Sequence, residues 1–292
     1  MNQFKTVALL GLLTGLLTLI GYWIVGSPEG ALIGLGIAAI LNLGSWFFSD
    51  KIALSAYGAQ PVSSEQAPEL YQMLERLSQK AEIPTPPLYV VPSPAANAFA
   101  TGRDPQHAAV AVTEGIVNLL TPDELEAVIG HELSHVVNRD TLTQAVAATV
   151  GGAISQLAYM AQWASYGAAY SNNDDRRGSN PIGLLLAAFL APVAATLIQM
   201  AISRTREFEA DAGSARLTGN PRALASALRK LEMGARQMPL QANPSFEPLL
   251  IVNAFSGKGL ASLFSTHPST EARIENLLRL EQELPQRVSP SF

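Results

Sequence analysis

The stretch TPDELEAVIGHELSHVVNRD, residues 121–140, decides how the rest of the chain is read. Thr121 is followed by Pro122, and Glu124 stands three residues after the threonine. That is a capping box with proline at the first helical position, so a helix starts here. The pattern predicts that it spans 122–139, with Leu125, Val128 and Ile129 on its buried side. His131 and His135 are four residues apart and therefore share one helical face. Glu132 lies one residue along, beside that face. An uncharged stretch begins directly behind them, at residue 141.

Two imidazoles at this spacing reach one metal ion, and the intervening glutamate can accept a proton from a water held there. This is the H-E-x-x-H arrangement of zinc peptidases. The chain has only 4 histidines, so a chance coincidence on a structural helix is a poor account of the motif. There is no cysteine, which restricts any metal site to His, Asp and Glu. A third protein ligand is required, with one position left open. The candidates lie in SRTREFEADAGSARL: Glu207, Glu209 and Asp211. On a helix, Glu207 and Asp211 share a face while Glu209 points elsewhere, to solvent. The pair fits a ligand and an acceptor for a ligating imidazole N–H, and spacing alone does not choose between them.

Of the 292 residues, 48% are hydrophobic and 15% charged, against about 25% charged in a typical soluble protein. Four uncharged runs account for this: 6–26, 31–49, 141–173 and 178–203. Each is long enough to supply the ~20 residues of a membrane-spanning helix. Tyr22, Trp23 and Trp46 sit near the ends of the first two, as interfacial aromatics do. A cleaved signal peptide is disfavoured, because the first run is long and no A-x-A site follows. The last two runs carry Thr, Gln, Gly and many Ala, so a buried core helix competes with a span there. Pro192 would kink the fourth, which membrane helices tolerate. Lys5 and Lys51 flank the first two runs, and Arg139, Arg204 and Arg206 flank the other pair. The positive-inside rule then places the polar regions in the cytoplasm, with Arg176 and Arg177 opposing it beside Asp174 and Asp175. The net charge of −5 argues against a nucleic-acid partner.

The organisation expected is thus an N-terminal transmembrane hairpin (1–50), a first part of a peptidase domain (51–140), a second hairpin (141–203) and the rest of the domain (204–292). Leu70, Met73, Leu74, Leu77 and Ala81 line one face of a helix. PPLYVVP, AANAFATG and AAVAVTEG read as strands, the last two joined by RDPQ, with His107 in that loop. Helices are expected over 221–236, capped by Asn220, and over about 270–284. AANAFATG (95–102) is a candidate edge strand able to hold an extended peptide by main-chain hydrogen bonds.

The motifs NAFATG, HELSHVVNRD, REFEADAGSA and FSTHPSTEARI, in this order and with this hydrophobic layout, resemble the HtpX family of membrane zinc endopeptidases, relatives of the CAAX prenyl proteases. The resemblance covers nearly the whole chain. It implies an α+β fold, a multi-pass membrane protein with a zincin-like (gluzincin) domain interrupted by a transmembrane hairpin. It implies one Zn²⁺ per subunit held by His131, His135 and Glu207, with Glu132 as general base and Asp211 matching the aspartate of the family's E-x-x-x-D pattern. It also implies a place in the bacterial inner membrane, with the site facing the cytoplasm. Its substrates would be damaged or misfolded membrane proteins or unfolded polypeptides, in a stress response. The other readings are a metal-dependent hydrolase of non-peptide or prenylated-protein substrates and an inactive membrane scaffold. His267 could steady an oxyanion, occupy the open metal position or start a helix, so it stays outside the expected site.

Overall fold

The computed structural model describes residues 2–170, 204–238, 249–251 and 268–283. The run 178–203, most of the 237–262 loop and His267 lie outside the described residues.

Helices α1 (Asn2–Val25) and α2 (Pro28–Phe47) form the N-terminal pair. Glycines let their backbones touch: a Cβ on Gly34 would collide with the Leu17 carbonyl of α1. Asn42 Nδ2 adds a bond to Thr14 Oγ1 at 2.9 Å across the pair. The outer faces stay uncovered, with Leu19, Leu32, Ile33 and Ile40 all more than half exposed. Among the described residues, Pro28–Phe47 is the one helix long and apolar enough to cross a membrane, and Thr6–Tyr22 is a shorter apolar stretch.

Next come α3 (Ser49–Ala56), the two-residue strand β1 (Gln60–Pro61) and α4 (Pro68–Lys80). Strands β2 (Leu88–Val91), β3 (Ala98–Gly102) and β4 (Ala108–Thr113) follow, the last two joined through the single turn Pro105–His107. The sheet order is β1-β2-β4-β3. β2 runs parallel to β4, and β3 runs antiparallel to it with Ala100 opposite Val110. The strand expectations therefore hold, and β1 is an addition. The long strands are buried on both faces, which is why they read as apolar runs without clean alternation. One face packs on α4 through Leu74 and Leu77, and on the later segments that carry Val128, Leu133 and Leu228. The other packs Phe99 and Ala111 against Leu54 of α3 and against Ala145 and Ala148 further along the chain.

After α5 (Glu114–Leu119) comes α6 (Pro122–Val137), the helix of the opening motif. Its capping box is formed, with Thr121 N donating to Glu124 Oε2 at 2.8 Å. Glu124 also accepts from Ser226 Oγ and Lys230 Nζ, both at 2.7 Å, which ties the start of α6 to the later helix Pro221–Gln237. The helix ends earlier than expected. Asn138 caps it, and Arg139 takes a φ of 57°, a left-handed kink that redirects the chain into α7 (Asp140–Tyr170). The first half of α7 is buried in protein, with Val146, Val150 and Ile154 against Leu9, Leu13 and Leu17 of α1. The remaining described helices are α8 (Arg204–Thr218), α9 (Pro221–Gln237), capped by Asn220 Oδ1, and α10 (Thr270–Glu283).

Candidate metal centre

α6 lies between the sheet, α4, α8 and α9, so every residue from Leu133 to Val136 is buried, His135 included. Small residues let α8 come close. A Cβ on Gly213 would strike Ser134 Oγ, and Ser214 Oγ donates to the Ala127 carbonyl at 2.6 Å. This approach brings the polar face of α8 onto the histidines.

One ligand atom each from His131, His135 and Glu207 fall within 4.8 Å of one another, and all three residues are buried. The two Nε2 atoms are 3.2 Å apart. Glu207 Oε1 stands 3.5 Å from His135 Nε2, and Oε2 stands 3.8 Å from His131 Nε2. Asp211 is one turn further on α8 and takes the other nitrogen of His131, with Nδ1 to Oδ1 at 3.0 Å. Glu209, the third carboxylate considered, is exposed. Helical spacing thus sorted the three carboxylates as expected.

Three residues of this network were not singled out from sequence. Asp140, in the first turn of α7, accepts from His135 Nδ1 at 3.0 Å. Arg206 of α8 donates to Asp140 at 3.4 Å. Arg273 of α10 grips Asp211 with two nitrogens, Nε to Oδ2 at 3.0 Å and Nη2 to Oδ1 at 2.7 Å. The site is therefore two parallel arms, Arg206–Asp140–His135 and Arg273–Asp211–His131. Each aspartate stands 3.0 Å from one imidazole Nδ1, and the two Nε2 atoms face each other at 3.2 Å. Such carboxylate–histidine pairs fix both tautomer and ring orientation.

These residues fit a divalent cation. Two nitrogens bound to one tetrahedral zinc at 2.0–2.1 Å stand about 3.3 Å apart, close to the observed Nε2 separation. The charge count agrees. Four buried carboxylates, Glu132, Asp140, Glu207 and Asp211, face two buried guanidiniums, Arg206 and Arg273. With neutral imidazoles and Glu132 ionised, two negative charges remain over, which the two positive charges of such an ion would balance. The titration tendencies point the same way. Burial disfavours the charged form of His135, yet Asp140, Glu207 and Glu132 outweigh it and raise its pKa, so positive charge is favoured beside its Nε2. Burial instead pushes His131 down to about 4.

Glu132 stands apart from the cluster, where its Oε2 accepts the backbone N–H of Ala100 on β3 at 2.9 Å. Burial lifts its carboxyl to about 7, with Glu207 adding to the rise. It is thus a base poised near neutral pH, held against a strand at the end of the sheet.

A histidine pair on one helix, a carboxylate from a second and a poised glutamate beside a terminal strand define a peptidase-type centre. The model of peptidase family M48 matches residues 64–281. A protease HtpX homolog of Trichormus variabilis is 66% identical over 284 residues, covering 97% of this chain and 98% of that protein. Another from Pyrococcus furiosus is 50% identical over 281 residues, covering 96% of each. The chain belongs to the HtpX proteases of peptidase family M48 and is a peptidase. In fold it is similar to the crystal structure of S. mikatae Ste24p, with a TM-score of 0.50 at 19% identity. That match covers 94% of this chain, which spans 65% of the length of that one.

Proposed function

We propose that the protein is a multi-pass, zinc-dependent membrane endopeptidase with a gluzincin-type centre in which His131, His135 and Glu207 hold one Zn²⁺. The buried His–His–Glu cluster, with each imidazole backed by its own aspartate, is the observation that carries this reading. Held by His131, His135 and Glu207, the ion would supply Lewis acidity to the scissile carbonyl and to the attacking water. Glu132 takes the proton of that water as its oxygen joins the carbonyl carbon. It then delivers the proton to the amine nitrogen as the C–N bond breaks. The Ala100 N–H steadies the carboxylate that does this. β3 lies alongside, and an extended peptide added at its outer edge would run past Glu132.

The test is zinc affinity by chelator competition in three purified variants. Glu207→Ala should weaken binding most, because three protein ligands become two. Asp211→Ala should cost about 10–100-fold, the usual loss for a partner of a ligating histidine. Glu209→Ala should be near neutral, since its side chain is exposed. A ranking that puts Glu209 first would overturn the ligand set. Casein and a membrane protein, offered as substrates, separate a peptidase from a hydrolase of other bonds.

Membrane insertion is supported by the exposed apolar faces of α1 and α2. The polar parts face the cytoplasm of a bacterial inner membrane on the charge pattern of the flanks. Substrates are then damaged or misfolded membrane proteins reached at the bilayer surface, in a stress response. Reporters fused after residue 60 and after residue 290 should both register cytoplasm, and a periplasmic signal at either point would reverse the orientation.

A further inference from the structure

Resting on the membrane reading above, we infer that a pocket at the end of α2 is a binding site for the phosphate headgroup of an anionic phospholipid. The cavity is about 380 Å³ and lies where the candidate span meets the sheet. It is large enough for a polar headgroup. Its aromatic floor is unusual for a water-facing surface: Phe47 and Phe48 are 54% and 50% exposed. Two cations are parked on those rings. Lys51 Nζ lies 5.6 Å from the Phe48 centroid, and the Arg103 guanidinium lies 5.7 Å from that of Phe47. Both distances are within cation–π range. Arg103 Nη1 also donates to the Phe47 carbonyl at 3.4 Å, at the negative end of α2. Gln106 lines the same pocket and offers an amide donor.

The carboxylates nearby do not close the site to an anion. Asp104 is held chiefly by its own loop, accepting from the Gln106 and His107 backbone N–H groups at 3.0 and 2.9 Å and from His107 Nδ1 at 2.7 Å, and its Oδ2 also stands 3.6 Å from Arg103 Nε, a long pairing along one edge of the guanidinium with which a phosphate competes. Asp50 lines the pocket and offsets one of the two cations. A phosphate that accepts from Lys51, Arg103 and Gln106 replaces ring contacts with charge-assisted bonds. The acyl chains then continue along the exposed apolar face of α2, where Ile40 and Leu43 are 72% and 61% exposed. That continuity is the reason to prefer a lipid to a free phosphate. A basic pair beside aromatics at a span end also matches where anionic headgroups lie.

The full chain, purified in detergent, is titrated with short-chain phosphatidylglycerol, short-chain phosphatidylcholine and inorganic phosphate, with bound molecules counted by native mass spectrometry. Phosphatidylglycerol should bind more tightly than either alternative. Lys51→Gln or Arg103→Gln should each cost about fivefold and the double variant about 25-fold, while Lys51→Arg should retain the preference. Equal affinity for the two lipids, or an unchanged preference in the double variant, would overturn the site. Inorganic phosphate that binds as tightly as phosphatidylglycerol would show a free-anion pocket and equally overturn it. Carbonate extraction of membranes from the same cells reports insertion separately. A chain released as soluble protein refutes the membrane reading itself, whereas a retained chain without lipid preference refutes only the pocket.

Discussion

Replacing Glu132 with Gln is expected to lower peptide cleavage by about 10²–10⁴-fold while zinc content stays at the level of the unaltered protein. The two halves of this expectation come from different features. Glu132 lies outside the three-residue cluster whose ligand atoms fall within 4.8 Å of one another, so its loss removes no ligand. Glutamine has the same shape, and its amide oxygen can still accept the Ala100 N–H that Glu132 Oε2 accepts at 2.9 Å. Packing around this buried position is preserved. Only the capacity to take a proton is gone. Burial has raised that carboxyl to about 7, and a base so placed is matched to work near neutral pH. The measurement pairs metal analysis with a casein assay on the purified variant. Full cleavage by Glu132→Gln would remove Glu132 from the mechanism, and loss of zinc would make it part of the metal shell instead.

The first half of this site was legible in sequence because its signals are local. A capping box, a proline and an i, i+4 histidine pair all lie within 15 residues of one helix, 121–135. The same periodicity separated Glu207 and Asp211 from Glu209 without knowledge of the fold. What it missed depends on contacts between distant segments. Arg273 sits on a short helix rich in charge, where an arginine reads as solvated, yet it is buried against α8. Asp140 is the last charged residue before the uncharged run that starts at 141, and only the kink at Arg139 turns it back to His135. That kink has no glycine or proline to announce it, so the sequence pattern carries the helix two residues past its end at Val137. Hydropathy alone cannot tell apolar contact with lipid from apolar contact with protein. In the run 141–173, Val146, Val150 and Ile154 pack on Leu9, Leu13 and Leu17 of α1, a contact that the hydropathy of the run does not specify.

Arg273→Met is expected to destabilise the chelator-stripped protein by about 3–5 kcal/mol, the cost of breaking a buried ion pair from one side. Arg273 is 2% exposed, and its bonds leave little slack. Nε and Nη2 engage Asp211, Nη1 donates to the Ile251 carbonyl at 2.8 Å, and the same Nη1 stands 3.5 Å from Glu207 Oε2. Methionine fills the volume but leaves Asp211 and Glu207 as neighbouring buried charges with no guanidinium between them. Arg273→Lys should recover only part of the loss, because an ammonium cannot grip Asp211 with two nitrogens and reach Ile251 at once. Adding Asp211→Asn to Arg273→Met should recover more than the lysine does, since it removes the charge that was left uncompensated. Denaturant unfolding of the four proteins in one detergent provides the comparison. If Arg273→Met unfolds at the same denaturant concentration as the unaltered chain, then Arg273 does not neutralise this site. The arm that holds His131 would in that case rest on Asp211 alone.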